Sequence, residues 1–146
     1  MENLDTRAYV SILKDIVEEG HTASMTIVGS SMNPFLCHER DKITFSAPDG
    51  ELKRGDMVFF QRENGAYVMH RICRVSEEGF YLVGDAQTEV EGPVRREQIF
   101  ARVTQVERKG RKLTGKDFWW RFFAGPWLWV RPVRPGIVKV YSYLRK

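Results

Sequence analysis

Residues 56–83 read DMVFFQRENGAYVMHRICRVSEEGFYLV, and this stretch decides the fold. It holds three runs rich in β-branched and aromatic residues, and two polar segments that end in glycine separate them. The runs are 56–61, 67–75 and 80–83, and the separating segments are Glu63-Asn64-Gly65 and Glu77-Glu78-Gly79. Short runs of this composition bounded by Asn and Gly are typical of strands joined by tight turns. The stretch therefore predicts consecutive antiparallel strands.

The β pattern continues on both sides of this stretch. Further β-rich runs stand at 23–28, 42–46 and 99–107, again separated by turn residues. Before them, residues 5–19 carry apolar side chains at helical spacing, and Gly20 stands where a helix C-terminus commonly ends. The predicted apolar face of this helix consists of Tyr9, Val10, Ile12, Leu13, Ile16 and Val17.

The C-terminal segment also has a helical pattern. Residues 118–130 predict a helix interrupted at Pro126, and residues 137–144 predict a last helix after Pro135. The predicted fold class is therefore mostly β (α+β): an antiparallel β domain with a short N-terminal helix and C-terminal helices.

Length and composition indicate one globular domain, because the chain has 146 residues, of which 42% are hydrophobic and 29% charged. The charge is uneven. Residues 116–146 contain seven basic residues against Asp117 alone, a net charge of +6, which leaves −2 for residues 1–115 of a chain that carries +4. We therefore divide the chain into a body, 1–115, and an aromatic, basic, helical tail, 116–146. The tail holds nine of the 18 aromatic residues and all four tryptophans.

The tail admits several interpretations. Trp and Phe mixed with Arg and Lys are typical of a segment that lies in a membrane interface, with its rings at headgroup level and its cations toward anionic lipid. The same rings would equally pack on the β body or on a second subunit, and both alternatives stay open. Binding to nucleic acid is disfavoured, because no known nucleic-acid module accompanies the rings.

The first 20 residues include five acidic residues and no apolar run of signal-peptide length. No stretch of about 18 apolar residues runs without charge anywhere in the chain. We therefore expect neither an export signal nor a membrane span. The expected location is the cytoplasm, with peripheral attachment at the inner face of the membrane as the refinement that the tail suggests.

The cysteines point to no redox or metal chemistry. Cys37 and Cys73 are too few for a disulfide scaffold, and no His/Cys spacing around them would build a zinc site. We expect both to be small buried apolar residues, and we expect neither a metal nor an organic cofactor.

Two serines stand in the turn Gly29-Ser30-Ser31-Met32-Asn33-Pro34, directly after a predicted strand. Pro34 stops the strand and enforces the turn, so that a hydroxyl can be presented at the mouth of the sheet with backbone N–H groups free to face an oxyanion. Turns of this composition are more often structural, and a serine nucleophile also needs a base.

The base would have to come from three histidines. His21 follows the first helix, where an imidazole caps the helix or is exposed, and His38 lies in a charged loop typical of a solvated surface. His70 differs, because it interrupts an apolar strand and shares strand parity with Val68 and Ile72. It is either a core histidine with satisfied hydrogen bonds or a functional one.

These segments occur in a recognisable order with two others. The boxes are Gly29–Pro34, Gly55-Asp56-Met57-Val58-Phe59-Phe60, His70-Arg71-Ile72 and Gly84-Asp85-Ala86-Gln87. In this order, over residues 23–107, the chain resembles the type I signal peptidase superfamily. That family has a lysine base in the bacterial enzymes and in the LexA-type self-cleaving repressors, and a histidine in its eukaryotic and archaeal branch.

The resemblance to the Ser-His branch implies a role for each box. Ser31, immediately before Met32, corresponds to the nucleophile and His70 to the general base, which titrates near neutrality. Asp85 is the preferred third member that orients the histidine, with Glu91 as the alternative. Relatives often have an oxyanion-binding serine where this chain has Gly29, so backbone N–H groups would take that part, with Ser30 as helper.

The resemblance implies a serine endopeptidase that cleaves a peptide or protein substrate through an acyl-enzyme, with small residues beside the cut as in relatives. We recognise no counterpart of the family's membrane anchor in this sequence, so we do not expect the chain to remove secretory signals. The alternative is a non-catalytic peptide-binding or membrane-docking module that retains the fold. A LexA-type self-cleaving regulator is least favoured, because we recognise no DNA-binding segment and no lysine at the base position.

Overall fold

The computed structural model describes residues 4–27, 32–33, 35–87 and 89–129. The elements of these residues follow in chain order. They are α1 (Leu4–Glu18), β1 (Ala23–Thr26), β2 (Lys42–Ser46), β3 (Met57–Gln61), β4 (Tyr67–Ser76), β5 (Gly79–Val83), β6 (Glu91–Val94), a 3₁₀ helix (Arg96–Gln98), β7 (Ile99–Arg108), β8 (Arg111–Leu113), α2 (Phe118–Ala124) and α3 (Pro126–Trp129). The predicted class, a mostly antiparallel β domain with an N-terminal helix and C-terminal helices, is confirmed.

The strands form one antiparallel sheet in the order β1-β2-β7-β3-β4-β5-β6, and β8 pairs with the last part of β7. The central stretch forms the consecutive hairpins β3–β4 and β4–β5 as predicted. Two strands, β6 and β8, were not predicted from the sequence. β6 contains Gly92 and Pro93, which an edge strand tolerates. β8 has three residues and returns through the two-residue turn Lys109-Gly110, in which both φ angles are positive.

The sheet buries side chains on both of its faces, and β3 shows how. Met57 and Phe59 belong to the larger hydrophobic cluster, which also includes residues of α1, β2, β7 and the C-terminal helices. Val58 and Phe60 belong to a second cluster among β3, β4, β5 and β6. Since neighbouring residues of a strand point to opposite faces, β3 reads as a continuous apolar run because it is covered on both sides.

The first helix packs by a narrower stripe than predicted. Val10, Leu13 and Val17 are buried, but Tyr9 and Ile12 are 49% and 59% exposed. The prediction was wrong for these two residues because only the stripe at i, i+3 and i+7 faces the sheet. The helix ends at Glu18, and Gly20 lies just after its C-terminus as predicted. The Gly20 φ of +96° lets His21 N–H donate to the Ile16 carbonyl and Gly20 N–H to the Val17 carbonyl.

The C-terminal helices belong to the core. α2 and α3 meet at Pro126, where an interruption was predicted. Phe123 and Trp127 lie in the larger cluster, and Leu128 is buried in a small third cluster with Cys73 and Val83. For these rings, packing on the β body is what the structure shows. The predicted helix at 137–144 lies outside the described residues, and none of the described helices is long and apolar enough to cross a membrane.

The cysteines are both thiols; Cys73 is buried as expected, whereas Cys37 is only half-buried.

A buried carboxylate, Asp41, ties the loop after residue 31 to the β7–β8 hairpin. It accepts hydrogen bonds from the Cys37 and Lys109 backbone N–H groups at 2.8 and 3.0 Å, and from the Arg40 guanidinium at 2.8 and 2.9 Å. Burial by itself raises the pKa of Asp41, but the donors from Arg40, Lys109 and Cys37 together lower this pKa below its usual 3.8. The ionised form therefore holds the loop in place.

Replacing Asp41 with Asn should lower the free energy of unfolding by about 2 kcal/mol at pH 7. This loss is smaller than the loss expected when a fully buried ion pair is broken, because Arg40 is partly exposed. Urea denaturation measures it, with the exposed Asp15→Asn as control. Because the folded pKa of Asp41 is depressed, the difference from wild type should persist above pH 3.8 and close as the pH falls through the folded pKa. If the stability difference between Asp41→Asn and the wild type is unchanged at low pH, the ionised state of Asp41 is not what stabilises the loop.

Candidate active site

His70 lies in the middle of β4 and is only 6% exposed. Its strand partner is Val58, and its ring centroid lies 6.0 Å from that of Phe60, so that it faces the second hydrophobic cluster. This is the apolar face that parity with Val68 and Ile72 predicts. The imidazole therefore sits in an environment that disfavours charge.

One ring nitrogen of His70 is committed to the backbone. Nδ1 lies 2.6 Å from the carbonyl oxygen of Met69. Since a carbonyl can only accept, Nδ1 carries the proton, and the neutral ring then keeps its lone pair on Nε2. Burial lowers the pKa of His70 below its usual 6.5, against the opposing effect of the Met69 carbonyl. The side chain is thus a neutral base at physiological pH.

A charged pair, Arg62 and Glu91, lies close enough to His70 to influence its titration. Arg62 donates to Glu91 from Nε and Nη2 at 2.9 and 2.7 Å, which is a bidentate contact. This contact lowers the pKa of Glu91. The Glu91 carboxylate raises the pKa of His70 and the Arg62 guanidinium lowers it. Glu91 therefore acts on the imidazole through its field, and forms no hydrogen bond with it.

The carboxylate of Asp85, the preferred third member, is bound elsewhere. Its two oxygens accept from Nε and Nη2 of Arg71, each at 2.8 Å, and both side chains are fully buried. Arg71 follows His70 in β4, so the two side chains point to opposite faces of the strand. The expected hydrogen bond between Asp85 and His70 is not formed, because the nearer guanidinium takes both oxygens.

The Arg71–Asp85 pair is the centre of a larger network. Arg71 also donates from Nη1 to the Gly55 carbonyl at 2.9 Å, and the Trp127 indole donates to the Asp85 carbonyl at 2.6 Å. Gly55 has a φ of +99°, and a Cβ there would lie 3.0 Å from the Ala124 carbonyl oxygen. Glycine is required because the turn is left-handed and the end of α2 packs directly on it.

The structure describes part of the serine turn. Gly29, Ser30 and Ser31 lie outside the described residues. Met32 and Phe35 are buried in the larger cluster, and the Arg71 guanidinium carbon lies 5.5 Å from the Phe35 ring centroid. Met32, and Phe35 directly after the turn, therefore lie on the face of the sheet opposite His70.

Two residues after the predicted nucleophile in the sequence, the side-chain oxygen of Asn33 is buried and has no hydrogen-bond partner among the described residues.

The other histidines lie on the surface, as predicted. His21 is exposed just after α1, and His38 is exposed with Nε2 3.2 Å from Glu39. Within the described residues, no group of three or more His, Cys, Asp or Glu side chains is arranged to hold a metal ion.

Two groups around the candidate site were not predicted from the sequence. Arg71 follows His70 directly, and strand parity alone would have put a basic side chain inside the larger cluster, where it needs a buried acid. Asp85, in the box Gly84-Asp85-Ala86-Gln87, could have been assigned to Arg71 as this acid. Trp127 had no such signal, because its partner is a backbone carbonyl.

Neither the comparison with protein-family models nor that with curated proteins found a match for this chain.

Breaking the buried pair from either side should be costly. Arg71→Met leaves the charge of Asp85 without its partner, and Asp85→Leu leaves the charge of Arg71 without its partner. Each variant should lower the free energy of unfolding by about 3 to 5 kcal/mol. The double variant should lose much less than the sum of the two, because it buries no unpaired charge. Denaturant titrations of all four proteins measure the coupling, and additive losses would contradict a direct buried pair.

Proposed function

We propose that this chain is a serine endopeptidase in which Ser31 is the nucleophile and His70 the general base. The observation that carries the proposal is the state of His70: buried, neutral and with Nδ1–H donated to the Met69 carbonyl, so that the Nε2 lone pair remains for a proton. The four sequence boxes, which resemble those of the Ser-His signal peptidase branch, support the assignment of Ser31.

The proposed chemistry is an acyl transfer in two steps. His70 Nε2 takes the proton from Ser31 Oγ as the oxygen attacks the peptide carbonyl, and it then gives this proton to the leaving amine. Water hydrolyses the resulting ester with His70 again as base. Backbone N–H groups of the turn would bind the oxyanion, with Ser30 as helper. Because Asp85 is bound to Arg71, we propose a dyad in which Asp85 and Glu91 act only indirectly.

The sheet offers a place for an extended substrate. Among the described strands, β1 pairs with β2 alone, so its other edge is open, and β1 leads directly to the serine turn. A peptide could add to this edge as a further strand, with backbone hydrogen bonds supplying affinity. Peptides with small residues beside the scissile bond are the first substrates to test.

One observation favours a second candidate, a non-catalytic peptide-binding module. Met32 of the serine turn lies in the larger cluster, and Phe35, directly after the turn, contacts Arg71 of β4 on the face opposite His70. If Ser31 stays on that face, the fold could still bind a peptide at β1 but could not cleave it. The two candidates differ in covalent chemistry and are separated by the first experiment below.

We also propose that the protein works at an anionic membrane surface, which its basic aromatic segment 116–146 would contact from the cytoplasmic side.

Ser31→Ala and His70→Ala should each reduce peptide cleavage about a thousandfold or more, and the double variant should be hardly worse, because the two residues act as one unit. Cleavage is measured on peptide libraries, and a serine-directed acylating probe should label Ser31. Ser76→Ala, at the exposed end of β4, serves as the control and should keep the activity, whereas Ser30→Ala, which removes the oxyanion helper, should lose less activity than Ser31→Ala. If the probe does not label the protein and Ser31→Ala still binds peptides, the non-catalytic module is favoured. If Ser30→Ala loses cleavage and Ser31→Ala keeps it, the nucleophile is Ser30.

The pH profile should report His70. Since the base must be neutral and burial lowers its pKa, kcat/KM should fall only as the pH drops below 6.5. Glu91→Gln removes a carboxylate that raises the pKa of His70 and leaves the charge of Arg62, which lowers this pKa, so the acid limb should move to lower pH. The exposed Glu89→Gln, two residues away, is the control. A shift to higher pH in Glu91→Gln would contradict the electrostatic role.

A further inference from the structure

The β7–β8 hairpin and the start of α2 carry an unusual concentration of positive charge. Residues 108–123 contain six basic residues and a single acidic one, Asp117. Five of the basic side chains are exposed: Lys109, Arg111, Lys112, Lys116 and Arg121. None of these five forms an ion pair with a described residue, and the nearest acid by strand register is Glu107, opposite Lys112. Three of them precede the tail as we divided it from the sequence.

Two large apolar rings lie exposed within this cationic region. Phe118 is 69% and Trp119 46% exposed, although Phe123, one turn further along α2, is buried in the core. The sixth basic residue joins the two parts, because the Arg108 guanidinium carbon lies 5.5 Å from the Trp119 ring centroid while Arg108 Nε donates to the Phe35 carbonyl at 2.7 Å. The hairpin and α2 are therefore one continuous surface.

We propose that this surface, which we call the hairpin–α2 surface (residues 108–122), docks the protein on an anionic phospholipid bilayer. The inference rests on the proposed location at a membrane and names the residues that make the contact. Phe118 and Trp119 would enter the headgroup region, where amphipathic rings are favoured, and the five exposed cations would face the lipid phosphates. Phe123 and Trp127 cannot take part, because both rings are inside the core.

The geometry favours a bilayer over a single-stranded nucleic acid. Stacking of a base needs an open ring face. The exposed rings instead pack on one another and on Arg108: Phe118 and Trp119 meet edge to face at 5.1 Å, and Trp119 and Phe122 do so at 5.8 Å. Insertion among lipid headgroups requires no open face.

The charge also disfavours a second copy of this chain as the occupant. In a symmetric dimer the same patch meets itself, which would place its positive charges against each other. A negatively charged lipid surface has the complementary sign and extends over the whole patch.

The full chain should sediment with vesicles of phosphatidylcholine and phosphatidylglycerol, but not with phosphatidylcholine vesicles, and added salt should weaken binding. Arg111→Gln/Lys112→Gln/Lys116→Gln should reduce partitioning about a hundredfold, since each cation near the bilayer contributes roughly a factor of five. The matched control is Lys53→Gln/Arg74→Gln/Arg96→Gln, which removes the same charge from exposed positions on the body and should bind nearly as wild type. Thermal unfolding checks that both variants fold.

A second measurement follows the rings directly. Trp119 fluorescence should shift to the blue and be quenched by brominated lipid when anionic vesicles are added, and Trp119→Phe should remove most of this change. Failure to bind vesicles, equal losses in both triple variants, or binding of single-stranded DNA or self-association through the same residues would overturn the proposal. Probe labelling of Ser31 is measured separately, so failure of docking and failure of the peptidase proposal are distinguishable.

Discussion

The buried Arg71–Asp85 ion pair is the constraint on which the rest of the structure depends. Removing two charges from water is costly, and the cost is recovered only if the geometry is good and the remaining donors are satisfied. Here Asp85 takes two hydrogen bonds, the Gly55 carbonyl takes a third, and the Phe35 ring lies beside the guanidinium. These partners come from three separate parts of the chain outside β4. The pair therefore fixes how the segment after the serine turn, the turn before β3 and the turn after β5 meet β4.

The same pair divides β4 into a structural and a chemical face. Arg71 points into the larger cluster and binds a fully buried acid. His70 points into the second cluster, lies against the Met69 carbonyl, and is influenced by the charges of Glu91, Arg62 and Asp85 without a hydrogen bond to any of them. A base benefits from this separation. A carboxylate bound directly to the imidazole would raise its pKa, but burial without such a partner keeps His70 neutral.

The sequence was sufficient to predict the strands, which depend on local residue patterns. It was insufficient to predict which charged side chains pair with each other. Runs rich in β-branched and aromatic residues, bounded by glycine turns, predicted β3, β4 and β5, and strand parity placed His70 on an apolar face. The order of the boxes suggested Asp85 as the partner of His70, but order does not say which of two adjacent basic side chains an acid will face. Strand parity puts Arg71 and His70 on opposite sides, so one carboxylate cannot serve both. Glu91 was considered from sequence, but its bidentate contact with Arg62 depends on the pairing of β6, a strand that Gly92 and Pro93 concealed.

The aromatic segment shows why composition alone cannot separate core from surface. Residues 118–127 contain six large rings, and their sequence suggests either a membrane contact or a packed helix. The structure divides these rings between the core and the surface, because a seven-residue helix has room to bury one side only. Phe123 fills the space over Phe35, with ring centroids 4.9 Å apart, and Trp127 reaches the Asp85 carbonyl. Because these two rings pack against Phe35 and Asp85, Phe118 and Trp119 lie on the outer side of α2, beside the basic hairpin. The exposed aromatic surface is thus a consequence of how α2 and α3 close over the larger cluster.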